Sequence, residues 1–494
     1  MESKSLASKI GLVLGPVLFI IFQFIVQPEG MSESGRSVLA CTLWVATWWT
    51  TEAIPMAATS LLPIVILPLT GGAKIDTVTA AYGNKILFLY MGGFIIAIAM
   101  EKWNLHKRIA LTIISWVGTN SRGIVLGFII ATAFLSMWIS NTATSLMMVT
   151  IGIALISQLG GIIDKSDMPD KVNLKANLGK ALMLSIAYAA SIGGMGTLIG
   201  TPTNVVFSAI AQQLFDVEIS FALWMAFAMP LVVVLLTILW WYMVRVAYPL
   251  PKKPLAGGRK QIEDDLKELG KMSWEEKAVF AVFTLTAFSW ITSSFLLKKV
   301  LPGLDDTIIA MSGALALFLV PAKSEANKMV MDWESAVKLP WGIIVLFGGG
   351  LALAAGFQES GLAEWIGQQM SLLEGVNLLL LIFIVALMLN FLTEVTSNVA
   401  TASIMLPILA ALSQSIGVHP FGPMIAATLA ASCAFMLPIA TPPNAIVFSF
   451  GHVEMKDMIR KGFALNLAST VLITLSVYFL MELVLGIDLS VNPF

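Results

Sequence analysis

The sequence predicts an all-α polytopic membrane protein with about eleven transmembrane helices in two inverted repeats, each holding a re-entrant hairpin and a broken helix. Three observations predict it: a composition too apolar for a water-facing surface, a succession of long apolar runs, and polar motifs that recur at a fixed offset. Of 494 residues, 57% are hydrophobic and 12% are charged, where a soluble domain carries about 25% charged residues. Lipid must cover what charge does not. The formal net charge of −1 leaves no basic footprint for a nucleic acid. Cys41 and Cys433 both lie in apolar runs and form no ligand pattern.

A spanning helix takes about 20 mainly apolar residues. Such runs lie near 10–27, 38–50, 53–70, 84–101, 180–212, 219–247, 277–297, 305–322, 341–357, 421–450 and 462–487. The first, Ile10 to Val26, lacks a small-residue cleavage site and is expected to remain as a span outside the repeats, within 1–37. The runs 122–160 and 376–414 carry polar clusters at their midpoints. Each reads as two half-helices forming a re-entrant hairpin, since polar backbone at membrane depth needs cover from protein or a watery cavity. The alternative is a pair of full spans in each run.

Lys and Arg set the orientation. They are densest in the linker 248–276, with Lys252, Lys253, Arg259, Lys260, Lys267 and Lys271, which the positive-inside rule places in the cytoplasm. Lys4 and Lys9 put the N-terminus on the same side, and an odd span count puts the C-terminus outside. Lys298 and Lys299 fall outside, against the trend. A plasma (inner) membrane location is expected.

The halves 38–247 and 277–494 repeat one another. Gly92-Gly93 recurs as Gly349-Gly350, and Ser140-Asn141 as Ser397-Asn398, both 257 residues on. Gly200-Thr201-Pro202-Thr203-Asn204 answers Ala440-Thr441-Pro442-Pro443-Asn444 at an offset of 240. The shortening matches the longer polar loop 160–179 of the first half. An odd number of spans per repeat inverts one repeat relative to the other, and inverted repeats with broken helices mark transporters, with the site near the midplane.

Four motifs could carry chemistry. Ser136 to Ser145 and Thr393 to Thr401 place Ser, Asn and Thr where an apolar run turns. Such residues cap helix N-termini, and a half-helix starting there aims its positive end into the protein, where it suits a carboxylate. One copy reads equally well as ordinary capping; two at matched positions favour a site. In the Thr-Pro elements, proline removes a donor and breaks the helix, and its predecessor leaves the α region. Freed carbonyls are good ligands for a hard cation. A simple kink would not explain the same Thr-Pro-x-Asn order twice.

The proposed site has no Lys, Arg or His. A dianion there would be costly to desolvate unless bound cations supplied the positive charge. Glu394 is the nearest ionisable group. It reads first as a structural hydrogen-bonding residue or a contact of cation-binding backbone, and second as a proton site. Glu52 falls between two spans and reads as interfacial. His106, His419 and His452 are scattered. No catalytic order of residues or phosphate loop is present, so an enzyme is not expected.

These residues resemble the divalent anion–sodium symporter family of dicarboxylate and citrate carriers, from Trp48-Trp49-Thr50-Thr51-Glu52 to Asn444. The resemblance implies re-entrant hairpin tips at the Ser-Asn-Thr motifs, a homodimer, and an elevator movement. It implies one sodium ion among Ser136, Ser140, Asn141 and Gly200, and a second among Thr393, Thr396, Asn398 and Ala440. Asn141, Thr142, Ser397 and Asn398, with Ser140 beside them, would hold the substrate carboxylates, and Thr201, Pro202, Thr441 and Pro442 would line the pocket. The second motif ends in Val399 where the family has Thr, so a hydroxyl contact is missing. The reading is sodium-coupled uptake of C4-type dicarboxylates, with no organic cofactor. Dicarboxylate exchange, citrate transport and an anion channel are the alternatives.

Overall fold

The computed structural model describes residues 5–117, 120–165, 170–252, 258–324, 327–369 and 375–494. Lys253, Pro254 and Gly257 of the linker lie outside these. The described residues are helical apart from turns and one isolated bridge, Pro321 to Met329. Among them, eight helices are long and apolar enough to cross a membrane, and five shorter apolar helices accompany them. The all-helical membrane class expected from composition is therefore the one observed.

Proline and polar residues decide which apolar runs stay whole. The expected span 53–70 is not one helix. Helix Glu33–Thr51 ends at Glu52, which is exposed and turns left-handed with φ 46°. Pro55 then caps Met56–Thr59, and a separate helix Leu62–Leu69 carries Pro63 and Pro68. Each proline lacks the N–H that a continuous ladder needs. The expected span 180–212 is the helix Lys171–Gly194, an unwound stretch, and the helix Pro202–Phe215. Likewise 421–450 is Phe421–Ala430, an unwound stretch, and Pro442–Ser449. The polar-centred runs break too: Ser121–Ser136 gives way to Asn141–Lys165, and Leu378–Leu392 to Asn398–Ser415.

Two short amphipathic helices escaped the span reading, Leu105–Val117 and Leu362–Gln369. They begin 257 residues apart, each after a Gly-Gly helix. Those Gly-Gly helices, Lys85–Lys102 and Trp341–Glu359, pack across the halves. A Cβ on Gly92 would come within 2.8 Å of the Ala310 backbone, and one on Gly349 within 2.5 Å of the Ser60 carbonyl. Each glycine thus lets its helix touch an element of the opposite half.

The hairpins and broken helices interlock in the same way. Ser121–Ser136 and Asn141–Lys165 both pack on Lys171–Gly194, and Leu378–Leu392 and Asn398–Ser415 both pack on Phe421–Ala430. The trailing half-helices change sides. Pro202–Phe215 packs on Asn398–Ser415 and Phe421–Ala430, while Pro442–Ser449 packs on Asn141–Lys165 and Lys171–Gly194. Each half therefore completes the other's site region.

Candidate functional site

The unwound stretches of the two broken helices meet inside the protein. Thr203 Oγ1 and Ser432 Oγ are 2.9 Å apart, and the Cys433 thiol reaches the Met195 sulfur at 3.7 Å. The Tyr188 and Phe435 rings lie beside them, 5.1 Å between centroids. At these breaks the helix ladder is lost, so its carbonyls must find other partners. Asn204 supplies them in the first half. Its Nδ2 donates to the carbonyls of Thr197 at 2.7 Å, Met195 at 3.2 Å and Gly194 at 3.4 Å. Asn444 does the same in the second, donating to Ala434 and Leu437 at 3.0 Å each.

The hairpin tips supply hydroxyls and amides against these breaks. Buried Ser136 donates from Oγ to the Ala190 carbonyl at 2.8 Å and contacts the Asn141 amide. That amide also lies 3.2 Å from the Ala190 carbonyl and 3.3 Å from the Gly200 carbonyl. With its nitrogen inward, Asn141 satisfies these oxygens itself. With its oxygen inward, it completes a set of oxygens short of donors, an arrangement a hard cation relieves. In the second half, buried Thr393 donates from Oγ1 to the Ala431 carbonyl at 3.1 Å and lies 2.5 Å from Asn398 Oδ1. Ser136 and Thr393 stand 257 residues apart, as do Asn141 and Asn398. Two oxygen-lined clusters of like construction therefore sit at the two tips.

Four helices begin around this region: Asn141–Lys165, Pro202–Phe215, Asn398–Ser415 and Pro442–Ser449. Ser140 Oγ caps Ala143 N–H at 3.2 Å, Ser397 Oγ caps Ala400 N–H at 3.5 Å, and Thr441 Oγ1 caps Asn444 N–H at 3.3 Å. Helix starts carry partial positive charge, so the region suits an anion without a side-chain cation. Ser140, Asn141, Pro202, Ser397, Asn398 and Val399 are partly exposed, and Thr142 and Pro442 are exposed. Thr201, Gly200, Thr441 and Ala440 are buried. Thr396 is turned away from Thr393 and Asn398. Its hydroxyl bonds the Leu392 carbonyl and Thr401 Oγ1, both at 2.7 Å.

Glu394 is buried and accepts four hydrogen bonds. Oε1 takes Phe435 N–H at 2.8 Å, Met436 N–H at 2.9 Å and Asn466 Nδ2 at 2.7 Å, and Oε2 takes Leu437 N–H at 2.9 Å. It caps the second break and holds the backbone behind Thr393. Asn204, Asn444, Asn466 and Thr197 were not picked out as site residues from the sequence. The repeated Thr-Pro-x-Asn order contained the signal for Asn204 and Asn444. Thr197, whose Oγ1 donates to the tip carbonyl of Met137 at 2.5 Å, left no such trace. Among the described residues no cluster of His, Cys, Asp and Glu could hold a metal ion; a cation held here would have hydroxyl, amide and carbonyl oxygens around it.

The chain matches the family described as the sodium:sulfate symporter transmembrane region over residues 6–486. A curated relative from Staphylococcus saprophyticus, the sodium-dependent dicarboxylate transporter SdcS, is 50% identical over 99% of this chain and 94% of its own length. Its namesake in Staphylococcus aureus strain USA300 is 49% identical over 97% of this chain and 92% of its own length. Two solved structures share the fold at low identity. One is Neisseria gonorrhoeae MtrF, of a class of antimetabolite efflux pumps (TM-score 0.54, 15% identity, 99% of this chain and 96% of that one). The other is the Alcanivorax borkumensis YdaH transporter (TM-score 0.57, 13% identity, 83% and 87%). Paired polar helix breaks in an apolar helical body, with a family match along nearly the whole chain, lead to one conclusion: the protein is a membrane transporter, not an enzyme, and belongs to the sodium:sulfate symporter family.

Proposed function

We propose that the protein takes up C4-type dicarboxylates such as succinate, malate or fumarate together with sodium ions. The observation that carries this reading is the pair of like-built oxygen clusters at the hairpin tips, Ser136 with Asn141 and Thr393 with Asn398. Two carboxylates match two tips and their helix starts. Helix starts offer only partial charges spread over their first turn, and sodium bound at the clusters would place a full positive charge beside each carboxylate. The relatives named as sodium-dependent dicarboxylate transporters support both ligands. Asn141 and Asn398 would serve cation and anion together, with Ser140, Thr142, Ser397 and the pocket wall of Thr201, Pro202, Thr441 and Pro442 around them. Ser136, Gly200, Thr393 and Ala440 would complete the two sodium sites, and Thr396 would join the second only by leaving its bonds to Leu392 and Thr401.

On this reading the two halves are inverted repeats. The hairpins and broken helices, which interlock, would move as one body against the remaining helices in an elevator cycle, and a homodimer would anchor the fixed part. Val399, where the first motif has Thr142, removes one hydroxyl contact and leaves the preferred acid open, with citrate as the second reading. Uptake of radiolabelled succinate into proteoliposomes, with Na⁺, Li⁺, K⁺ or a proton gradient supplied in turn, tests the proposal. Uptake driven by sodium and competed by malate and fumarate is expected. Counterflow without sodium would instead establish exchange.

A further inference from the structure

The two hairpin tips are held by different devices at equivalent positions. In the first tip, Met137-Trp138 stands where the second has Glu394-Val395, 257 residues on. Glu394 ties the second tip to its own broken helix through Phe435, Met436 and Leu437 N–H, and Val395 is left 63% exposed. The first tip has no such carboxylate. Trp138, only 8% exposed, instead enters an aromatic cage. Its ring lies edge-on to Phe283 at 5.1 Å and parallel to Phe221 and Trp290 at 5.9 Å and 6.4 Å between centroids. Phe283 and Trp290 belong to the helix Trp274–Thr292, outside the interlocked hairpins and broken helices.

The cage is itself well fixed. Phe221 stacks on Trp290 at 4.6 Å. Trp290 Nε1 donates to the Asp306 carbonyl at 2.9 Å, and the Asp306 carboxylate accepts Phe221 N–H at 2.7 Å and Ser293 Oγ at 2.9 Å. Trp138 itself is less firmly held. Its indole N–H finds no hydrogen-bond partner among the described residues, which makes its docked position costlier than ring packing alone suggests. Trp138 lies between Ser136 and Asn141 on a four-residue tip, 137–140. Where the ring sits therefore decides where those two ligands sit.

We propose that Trp138 is a positioning residue that makes sodium binding at the first site depend on docking of the tip against the helix Trp274–Thr292. The second site carries its own anchor and does not. The inference rests on the sodium reading above. When the hairpin slides away from that helix, the first site loses its outer support and loosens, whereas Glu394 travels with the second. Sodium at the first site then becomes the ion whose binding reports which way the carrier faces.

The test is a sodium titration of thermal stability on purified full-length protein, with choline as the control cation, repeated as the sodium dependence of succinate uptake. The variants are Trp138→Leu, the cage-side Trp290→Leu, their double, Trp138→Phe and Val395→Leu. Aromatic contacts of this kind correspond to about a two- to tenfold change in an equilibrium constant. Each Leu variant in the cage should raise the half-maximal sodium concentration by that factor, with the succinate KM at saturating sodium unchanged. The double should be less than additive, Trp138→Phe should recover most of the loss, and Val395→Leu should behave as the parent. Parental sodium dependence in both folded cage variants, or an equal rise in Val395→Leu, overturns the inference alone. A parent protein indifferent to sodium in both assays overturns the sodium reading and this inference with it.

Discussion

Replacing Glu394 by Gln separates a structural carboxylate from a proton carrier. The side chain accepts three backbone N–H groups and Asn466 Nδ2 at 2.7–2.9 Å. A Gln keeps one acceptor oxygen. If it faces Phe435, Met436 and Asn466, its amide nitrogen meets the Leu437 N–H, donor against donor. An orphaned donor costs about 1–3 kcal/mol, and each remaining bond loses roughly 1 kcal/mol as charge-assisted becomes neutral. The sum is about 4–6 kcal/mol, concentrated on the break beside the proposed second sodium site. Glu394→Gln should therefore unfold at lower temperature in detergent and require much more sodium for half-maximal uptake. Residual uptake at saturating sodium should still ignore a proton gradient. The assay is thermal unfolding with a sodium titration, paired with proteoliposome uptake under sodium and proton gradients separately. The reasoning fails if parental uptake follows pH and ignores sodium, and if Glu394→Gln remains stable but loses gradient-driven uptake.

Asn141→Ala and Asn398→Ala should each abolish uptake while the protein still inserts, because each amide is proposed to serve a cation cluster and the anion; parental rates in either would misplace the site. Ser136→Ala and Thr393→Ala should raise the sodium requirement without changing which acids compete, measured by competition uptake. His419 offers a pH test outside the spans. Burial pushes it down to about 4, and its Nδ1 accepts Phe421 N–H at 3.2 Å, which requires the neutral ring. The unfolded chain takes up the proton near an ordinary pKa of about 6.5. Stability should fall as pH drops from there and level off below about 4; His419→Gln should flatten that slope in thermal unfolding. A cysteine at Gly258 should resist labelling from outside intact cells, since the linker is expected to be cytoplasmic; ready labelling would reverse the orientation.

Composition alone determined the class of this protein, because twelve charged residues in every hundred cannot cover a surface in water. The repeat of Ser-Asn and Thr-Pro-x-Asn determined where the helices break, because proline and capping side chains act on their own local backbone. Tertiary structure decided what those local rules cannot reach. Whether Leu62–Leu69 continues a span depended on three prolines read together with a left-handed Glu52. Which carbonyl meets the Ser136 hydroxyl depended on Ala190, 54 residues along the chain and chemically silent in the sequence. The same holds for Glu394. As an isolated intramembrane acid it could be a proton site, and only its contacts with Phe435, Met436, Leu437 and Asn466 give it a cap's role. Trp138 reads as one apolar residue among many until Phe221, Phe283 and Trp290 surround it. Such contacts join residues tens to hundreds of positions apart, and no periodicity or spacing encodes them.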